Sequence, residues 1–327
     1  MENRGGGDGK VRQGGAVTES DGQNTANTIA ELTGVGVSWT AEKADTLIEA
    51  LHWIRQFRGC VAVIKLGGSV MDASDNIVHL LLDTIFMESV GMQPVIVHGG
   101  GKAISRAMQK AGITPRFVQG RRYTDEATLS IVEQVLAGDV CEGIAKQLED
   151  FGGIARSLNF HTRNVLTGEP LQLKDDAGNP VDLGYVGQVT EVDTATIRAL
   201  CARGIVPVIP SVAVAKNGQK LNINADTAAQ RIAEKLGAEK LIFVSDVPGV
   251  LSNREDPTSL IRSLTLADAQ ALIENGTIQG GMIPKIQACL ETIRRGVRQV
   301  HLIDGRMRHS LLLDVYTRAG VGTVIRE

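Results

Sequence analysis

The stretch VAVIKLGGSV at residues 61–70 constrains the fold more than any other part of the sequence. Its first residues are apolar and rich in β-branched side chains, which predicts a strand buried on both faces, as in a parallel sheet. Lys65 stands at the end of this strand, and Gly67 and Gly68 follow it. Because glycines let the backbone approach a ligand and lysine adds a positive charge, the pattern predicts an anion site at the carboxyl end of the strand. A tight turn beside a surface lysine is the alternative interpretation.

Length and composition limit the classes of protein that fit this sequence. A chain of 327 residues with 43% hydrophobic and 22% charged residues is typical of a globular protein with one large α/β domain or two lobes. The net charge of −3 and the lack of basic runs argue against a nucleic-acid partner. No apolar run reaches the length of a membrane span. The four cysteines are far apart in sequence, so we expect reduced thiols, no metal site and a cytoplasmic location.

Strand-like and helix-like segments alternate along most of the chain. Short apolar runs at 94–97, 205–209, 240–245 and 299–303 predict strands, and amphipathic segments between them predict helices. This alternation predicts an α/β fold with an open, mostly parallel central sheet sandwiched by helices. Many turn residues at 158–192 predict β-hairpins at the edge of the N-terminal lobe. The predicted helices are 77–90, 102–110, 125–136, 140–151, 194–202, 225–236 and 286–295.

Two segments precede the first predicted strand. Residues 1–38 are rich in glycine and small polar residues without hydrophobic periodicity, which predicts a disordered tail. Residues 39–58 carry apolar side chains at three- and four-residue spacing, and Thr40 is a suitable N-cap. This helix either packs on its own domain or is an arm exchanged at a subunit interface.

Two further glycine clusters resemble the first in their setting. Residues 98–101, HGGG, follow the second predicted strand and lead into a helix, whose N-terminal amides favour an anion. Residues 280–281, GG, come shortly before Lys285 at another helix start. Several such loops at one sheet edge predict a site for two anionic groups, such as a phosphate donor and a carboxylate acceptor. Ordinary turns and a solvated lysine at a helix end are the alternatives.

Polar side chains elsewhere suit the same chemistry. Asn222, Asn224 and Asp226 alternate at the start of a predicted helix, where Asp226 is either a site residue or an N-cap. Arg121 and Arg122 offer a guanidinium that can bind a carboxylate through two hydrogen bonds, unless both are surface residues. With the lysines, these groups suit phosphoryl transfer to a carboxylate, because an acceptor that is already ionised needs no general base.

At these residues the sequence resembles the amino acid kinase family over about 41–327, and within it the branch that phosphorylates N-acetyl-L-glutamate in arginine biosynthesis. The resemblance implies the amino acid kinase fold, with an acetylglutamate-binding lobe at 59–210 and an ATP-binding lobe at 211–327. It also implies transfer of the ATP γ-phosphoryl group to the γ-carboxylate of the substrate, with Mg²⁺ carried by the nucleotide. One alternative is a family member that acts on glutamate, aspartate, carbamate or uridylate. Another is a non-catalytic paralogue that binds acetylglutamate or arginine. The motifs are KLGG at Lys65, VHGGG at His98, QGRRYTD at Gln119, DLGYVG at Asp182, NINADTAA at Asn222, SDVPGVL at Ser245, GGMIPK at Gly280 and HLIDGR at His301.

The resemblance implies roles for individual residues. Lys65 and Lys285 are expected to stabilise the transferring phosphoryl group, with Asp226 organising both lysines. Arg122 is expected to bind the α-carboxylate of the substrate. The implied substrate-binding residues are Gly100, Gly101, Arg122 and Asn222. The implied nucleotide-binding residues are Gly67, Gly68, Ser245, Asp246, Gly280 and Gly281.

The resemblance also implies regulation. In arginine-inhibited members of the family, a helix before the first strand links dimers into a hexamer, and residues 39–58 are similar to it. We therefore expect a homohexamer, a trimer of dimers, that is inhibited by L-arginine. The implied inhibitor site includes Trp53, His301, Asp314 and Gly322.

Three features depart from the family pattern. Trp53 stands where a tyrosine is usual, and Asp314 stands where a glutamate is usual. Residues 141–168 are similar only in helical outline, since SLNFHTRNVL at 157–166 replaces a usual glycine-rich turn. The contacts made by that turn are therefore not assigned from the resemblance.

Overall fold

The computed structural model describes residues 41–71 and 74–327, so the predictions for the tail at 1–38 and for Thr40 lie outside the described residues. Strands β1 to β18 span Val61–Leu66, Gln93–His98, Phe117–Val118, Arg121–Arg122, Ala155–Ser157, Leu166–Pro170, Leu173–Lys174, Pro180–Val181, Val186–Val192, Val206–Pro210, Val212–Val214, Lys220–Ile223, Lys240–Ser245, Val250–Leu251, Leu260–Ile261, Ser263–Thr265, Gln299–Asp304 and Thr323–Arg326. Helices α1 to α11 span Ala41–Phe57, Gly68–Met71, Ser74–Ser89, Gly101–Lys110, Glu126–Glu133, Cys141–Asp150, Thr194–Cys201, Ala225–Leu236, Leu266–Glu274, Met282–Arg294 and Ser310–Val315. A π-helical turn spans Gln134–Val140.

Eight strands form the central sheet in the order β16-β18-β17-β13-β1-β2-β10-β5. The pairs are parallel except for β17 and β18, which run antiparallel. Alternate residues of β1 face opposite sides, so Val61 and Val63 belong to one apolar core and Ala62 and Ile64 to another. The prediction of an open, mostly parallel sheet between helices is confirmed, and burial of such side chains contributes roughly 1.5–3 kcal/mol each.

The hairpins predicted at 158–192 are present, but they do not extend the edge of the central sheet. Strands β6 and β9 pair antiparallel and join β11 and β12 in a separate four-stranded sheet that closes into a small barrel. Strands β7 and β8 form their own two-stranded ribbon. The second sheet therefore stands beside the end of β10, at which the chain leaves the central sheet.

Helix boundaries follow the apolar pattern closely, with two informative differences. Helix α8 matches the predicted 225–236, whereas α10 begins earlier than the predicted 286, because Pro284 fits the first helical turn, where its missing amide costs nothing. The two helices predicted at 125–136 and 140–151 form one continuous helical run, since the π-helical turn connects α5 to α6. Such turns often occur at functional sites.

Helix α1 has two different faces. Trp53, Ile54 and Phe57 pack against the core of the domain. Leu47 and Ile48 are 58% and 68% exposed. The end of the helix therefore packs on its own domain, while its earlier turns present an apolar surface of the kind that interfaces use.

Candidate active site

The carboxyl ends of three neighbouring parallel strands bring the predicted glycine and lysine motifs together. Lys65 is in register with Val97 of β2 and Phe243 of β13. The loops that follow these strands therefore begin at the same level of the sheet. This arrangement is the usual position of a ligand site in an open α/β fold.

Lys65 and Asp226 form an ion pair at the centre of this edge, with Lys65 Nζ 2.7 Å from Asp226 Oδ1. Asp226 is available for this pair because Asn224 is the N-cap of α8 and accepts a hydrogen bond from the amide of Thr227 at 3.1 Å. The lysine side chain is 14% exposed and the aspartate 40% exposed, so the pair is reachable from solvent. The N-cap alternative for Asp226 is therefore wrong.

Lys285 approaches the same pair from the start of α10. Its Nζ donates a hydrogen bond to Ser245 Oγ at 3.3 Å. Burial lowers the pKa of Lys285, the Asp226 carboxylate opposes this, and the positive charge of Lys65 lowers it further. Lys65, Lys285 and Asp226 thus interact electrostatically, although they come from distant parts of the chain.

The glycines after β1 are needed for close approach of the backbone. Gly67 donates its amide to the Val244 carbonyl oxygen at 3.0 Å, and a Cβ at this position would lie 2.8 Å from that oxygen. A Cβ on Gly68 would lie 3.5 Å from the amide nitrogen of Gly101, so the first and second glycine loops are neighbours. Gly280 has a φ of +55°, a backbone conformation that favours glycine. A larger residue at Gly67 would separate β1 from β13.

A cavity of about 170 Å³ opens beside Asn224 and Ala225, the two residues before Asp226. The predicted substrate-binding residues all line it, and so does Arg121. The lining residues are Gly99, Gly100, Gly101, Ile104, Phe117, Gly120, Arg121, Arg122, Leu136, Val186, Ser211, Asn222, Ile223, Asn224 and Ala225.

Arg122 is buried in the wall of this cavity and is fixed by α4. Its Nη2 donates to the Gly101 carbonyl oxygen and to Ser105 Oγ, both at 2.9 Å. Its Nη1 lies 3.2 Å from Met108 Sδ. Burial lowers the pKa of Arg122. The guanidinium is therefore held in place by its own domain and is a positive group on the cavity wall.

Asn222 lines the same cavity and is held by a buried threonine. Its Nδ2 donates to Thr124 Oγ1 at 3.0 Å, and that hydroxyl donates to the Arg122 carbonyl oxygen at 2.9 Å. The side chain of Asn222 is thus oriented by the same segment that carries Arg122.

A second cavity, of about 760 Å³, lies beside Lys285 and is open to solvent. Two of the predicted nucleotide-binding residues, Asp246 and Gly281, line it. The same wall includes the loop after β13 and the start of α10. The lining residues are Asp246, Val247, Pro248, Gly249, Val250, Leu251, Ser252, Asn253, Arg254, Glu255, Gly276, Thr277, Ile278, Gln279, Gly281, Met282 and Lys285. The large volume suits a ligand bigger than the one that fits the first cavity.

The predicted inhibitor residues form a separate cluster at β17 and α11. His301 Nδ1 is 2.6 Å from Asp314 Oδ2, and the amide of Gly322 donates to Asp314 Oδ1 at 3.0 Å. Burial alone would raise the pKa of Asp314, but the hydrogen bonds from His301 and the Gly322 amide hold it below its usual value. Asp314 is therefore a carboxylate that stays ionised although it is buried.

Trp53 is connected to this cluster through an aromatic contact. Its ring stacks on Phe57 with a centroid distance of 5.8 Å, and Lys240 Nζ lies 4.3 Å from the Phe57 ring centroid. Lys240 Nζ is in turn 3.4 Å from His301 Nε2. Burial lowers the pKa of Lys240 to about 8. The end of α1 thus contacts the cluster that contains Asp314.

Several residues of the first cavity have no motif that would identify them. Leu136, Ser211, Ser105 and Thr124 either line it or hold Arg122 and Asn222. Arg121 was a candidate and does line it. For Asn224 there was a local signal, because asparagine directly before a predicted helix is a common N-cap.

Neither a metal-binding cluster nor a membrane-spanning helix occurs in the described part of the chain. Across 41–71 and 74–327, no group of three or more His, Cys, Asp or Glu side chains is arranged to hold a metal ion. Within the same ranges, every helix is too short or too polar to cross a membrane.

Sequence comparison relates the chain to a known family and to curated relatives. The sequence model of the amino acid kinase family matches residues 61–304. Acetylglutamate kinase from Heliobacterium modesticaldum is 43% identical over 288 residues, which is 87% of this chain and 98% of the relative. Acetylglutamate kinase from Caldanaerobacter subterraneus subsp. tengcongensis is 46% identical over 283 residues, which is 86% of this chain and 93% of the relative.

Structural comparison relates the chain to N-acetylglutamate synthase from Neisseria gonorrhoeae. Its complex with coenzyme A and N-acetyl-glutamate has a TM-score of 0.76 and 27% identity, and the match covers 87% of this chain and 63% of the synthase chain. Its complex with coenzyme A and L-arginine has a TM-score of 0.73 and 25% identity, over 86% of this chain and 65% of the synthase chain. The family match at 61–304 includes Lys65, Asp226 and Lys285.

Proposed function

Because the chain belongs to the amino acid kinase family, we propose that it transfers the γ-phosphoryl group of ATP to the side-chain carboxylate of N-acetyl-L-glutamate in arginine biosynthesis. The products are N-acetyl-L-glutamyl 5-phosphate and ADP. The single observation that carries this proposal is the cluster of Lys65, Asp226 and Lys285 beside a small cavity and a large one. A small carboxylate substrate suits the first cavity and a nucleotide suits the second.

The chemistry requires positioning and charge stabilisation rather than proton transfer. An oxygen of the substrate carboxylate attacks the γ-phosphorus, a new P–O bond forms, and the bond to the bridging oxygen breaks with its electron pair leaving on ADP. A carboxyl group with an ordinary pKa of about 4.3 is ionised at neutral pH, so no general base has to remove a proton. Catalysis therefore depends on how the protein places and neutralises anionic groups.

Lys65 and Lys285 are proposed to neutralise the charge on the transferring group. Asp226 holds Lys65 through the 2.7 Å ion pair and attracts Lys285, so that both ammonium groups face the same point. Bound Mg²⁺ would neutralise further charge on the nucleotide phosphates, and such ions need one or two protein carboxylates at most. Asp246 and Glu255, both on the wall of the second cavity, are carboxylates that could supply this contact.

We also propose which residues bind the substrate and which bind the nucleotide. Arg122 is proposed to bind the α-carboxylate, with Gly100, Gly101 and Asn222 holding the rest of the substrate. Gly67, Gly68, Ser245, Asp246, Gly280 and Gly281 are proposed to bind the nucleotide. We propose an acetylglutamate-binding lobe at 59–210 and an ATP-binding lobe at 211–327; β11 pairs with β6 and β12 with β9 across this boundary.

The function is tested by trapping the product with hydroxylamine. The purified protein, ATP, Mg²⁺ and N-acetyl-L-glutamate are expected to give the hydroxamate of acetylglutamate and one equivalent of ADP. The same assay with glutamate, aspartate, carbamate or uridylate separates this activity from related ones. If no hydroxamate forms with acetylglutamate, the proposed activity is wrong, and binding without turnover would support a regulatory paralogue.

We also propose that L-arginine inhibits the enzyme at the cluster of His301, Asp314 and Gly322 near Trp53. An ionised buried carboxylate suits a guanidinium or an ammonium group. The structurally similar synthase from Neisseria gonorrhoeae has been solved with L-arginine, which is consistent with an arginine site on this fold. We further propose a hexamer assembled through α1 and a cytoplasmic location.

The role of α1 in assembly gives a direct prediction. Replacing Leu47 and Ile48 together with aspartate keeps the helix but places charges on its exposed apolar face, so the hexamer is expected to dissociate to dimers. Light scattering after size-exclusion chromatography measures the mass, and inhibition by arginine should weaken in parallel while uninhibited turnover stays within two-fold. Deleting residues 1–58 should give the same result, and an unchanged mass in both variants would contradict the proposal.

A further inference from the structure

The stretch SLNFHTRNVL at 157–166, which departs from the family pattern, contacts the π-helical turn Gln134–Val140. We call this stretch the bracing loop. It follows β5 and leads into β6, so it is attached to both sheets. Its contacts with the π-helical turn come from two side chains, Asn159 and Phe160.

Asn159 is 2% exposed, and its amide connects the bracing loop to the π-helical turn. Nδ2 donates to the Ala137 carbonyl oxygen at 3.2 Å and to Glu142 Oε1 at 3.2 Å. Oδ1 accepts hydrogen bonds from the amides of His161 at 2.8 Å and Thr162 at 3.2 Å. The oxygen therefore shapes the loop itself, whereas the nitrogen holds the turn.

Phe160 makes a second connection at the beginning of the turn. Lys220 Nζ lies 4.4 Å from the Phe160 ring centroid and 2.5 Å from Glu133 Oε2. Glu133 directly precedes the π-helical turn. Phe160 also packs against the apolar cluster that contains Leu136. The bracing loop thus contacts the middle of the turn through Asn159 and is connected to its beginning through Phe160 and Lys220.

The π-helical turn forms one wall of the first cavity through Leu136. This side chain is 1% exposed and lines the cavity together with Asn222. A Cβ on Gly100 would lie 2.6 Å from Leu136 Cδ2, so the turn is pressed against the second glycine loop. Any outward shift of the turn would widen the cavity beside Gly100.

We propose that Asn159 is a positioning residue that, through Leu136, holds the π-helical turn in the conformation that binds N-acetyl-L-glutamate. This inference rests on the proposed function and assigns to Asn159 a role that no motif indicated. Without the Nδ2 contacts the turn samples wider conformations. Only those molecules in which the turn keeps its position then bind substrate. The apparent affinity therefore falls by the same factor as the fraction of such molecules.

The test is the isosteric variant Asn159→Asp. It keeps an oxygen for the amides of His161 and Thr162. Its second oxygen faces the Ala137 carbonyl and the Glu142 carboxylate, so the two hydrogen bonds of Nδ2 are replaced by repulsion. We expect the KM for acetylglutamate to rise about ten-fold or more, because two buried hydrogen bonds are lost and the loss of one already accounts for about that factor. The KM for ATP and kcat at saturating substrate should change less than two-fold.

Asn164→Asp is the matched control in the same loop. Asn164 Nδ2 donates to the Leu166 carbonyl oxygen at 3.0 Å, within the loop. This variant reports the effect of loop damage alone, and its KM for acetylglutamate should stay within two-fold of wild type. Equal effects of the two aspartate variants on both KM values would overturn the proposal, because loop damage would then explain them.

A double-mutant cycle with Leu136→Ala tests whether Asn159 acts through that side chain. If it does, the effects of Leu136→Ala and Asn159→Asp on the KM for acetylglutamate are non-additive, and if they multiply independently the proposal is wrong.

Should Asn159→Asp not fold, Phe160→Leu weakens the second contact and should raise the same KM about three-fold. Wild-type protein without hydroxamate formation would refute the proposed function, whereas an active wild type with an unchanged KM in the variants refutes this inference alone.

Discussion

Replacing Lys285 with methionine is expected to lower kcat by a factor of about 10² or more, because one preorganised positive charge at the transferring phosphoryl group is lost. Methionine preserves the length and most of the apolar packing of the lysine side chain. Lys285 interacts with Asp226 and Lys65 and donates to Ser245, so its ammonium group is already placed before substrate binds. The KM for acetylglutamate should change little, since the charge acts mainly on the transition state.

The measurement is steady-state ADP release with saturating substrates, combined with thermal unfolding to check the fold. Lys235→Met is the matched control, because Lys235 is an exposed lysine of α8. This control should keep at least half of wild-type turnover. A Lys285→Met enzyme as active as Lys235→Met would show that Lys285 does not stabilise the reacting phosphate.

Replacing Arg122 with lysine is expected to raise the KM for acetylglutamate by roughly 10²-fold, the cost of losing a buried, hydrogen-bonded partner of a charge. Lysine keeps the positive charge but cannot make two parallel hydrogen bonds to a carboxylate. It also cannot reproduce the contacts of the guanidinium with Gly101 and Ser105, which orient it in the cavity wall. The KM for ATP should change much less.

Initial rates at varied acetylglutamate and fixed ATP, followed by the reverse experiment, separate the two KM values. Arg116→Lys is the matched control from the neighbouring segment, since Arg116 is exposed and its guanidinium lies 4.7 Å from the Tyr123 ring centroid. Its kinetic constants should remain within two-fold of wild type. If Arg122→Lys raised both KM values equally, the arginine would have a structural role rather than a substrate-binding one.

The parts of the fold that follow from local apolar patterns were predictable from the sequence. The strand at 240–245 and the helix at 225–236 coincide with β13 and α8, because uninterrupted apolar runs and 3.6-residue periodicity are strong signals. Helix α11 was not predicted, since its six residues are too few to show a period. The π-helical turn was also not predicted, because its wider winding breaks the helical period.

The site was predictable in its residue types but not in its pairings. The lysines and glycines could be identified because chemistry restricts which residues can hold phosphates. That Lys65 pairs with Asp226, and that Asn224 rather than Asp226 caps α8, depends on which loops meet in three dimensions. Ser105, Thr124 and Leu136 had no signal at all, because serine, threonine and leucine at such positions are compatible with any helix or turn.

Isotope transfer tests most directly whether the substrate carboxylate attacks the γ-phosphorus. N-acetyl-L-glutamate labelled with ¹⁸O in its γ-carboxylate is incubated with ATP, Mg²⁺ and the enzyme, and the product is cleaved with hydroxylamine. Hydroxylamine attacks the carbonyl carbon, so the phosphate leaves with the bridging oxygen, which came from the substrate. We expect inorganic phosphate carrying one ¹⁸O, measured by ³¹P NMR, together with the acetylglutamate hydroxamate. Unlabelled phosphate without hydroxamate would mean that water attacks ATP instead, and would contradict the proposed reaction.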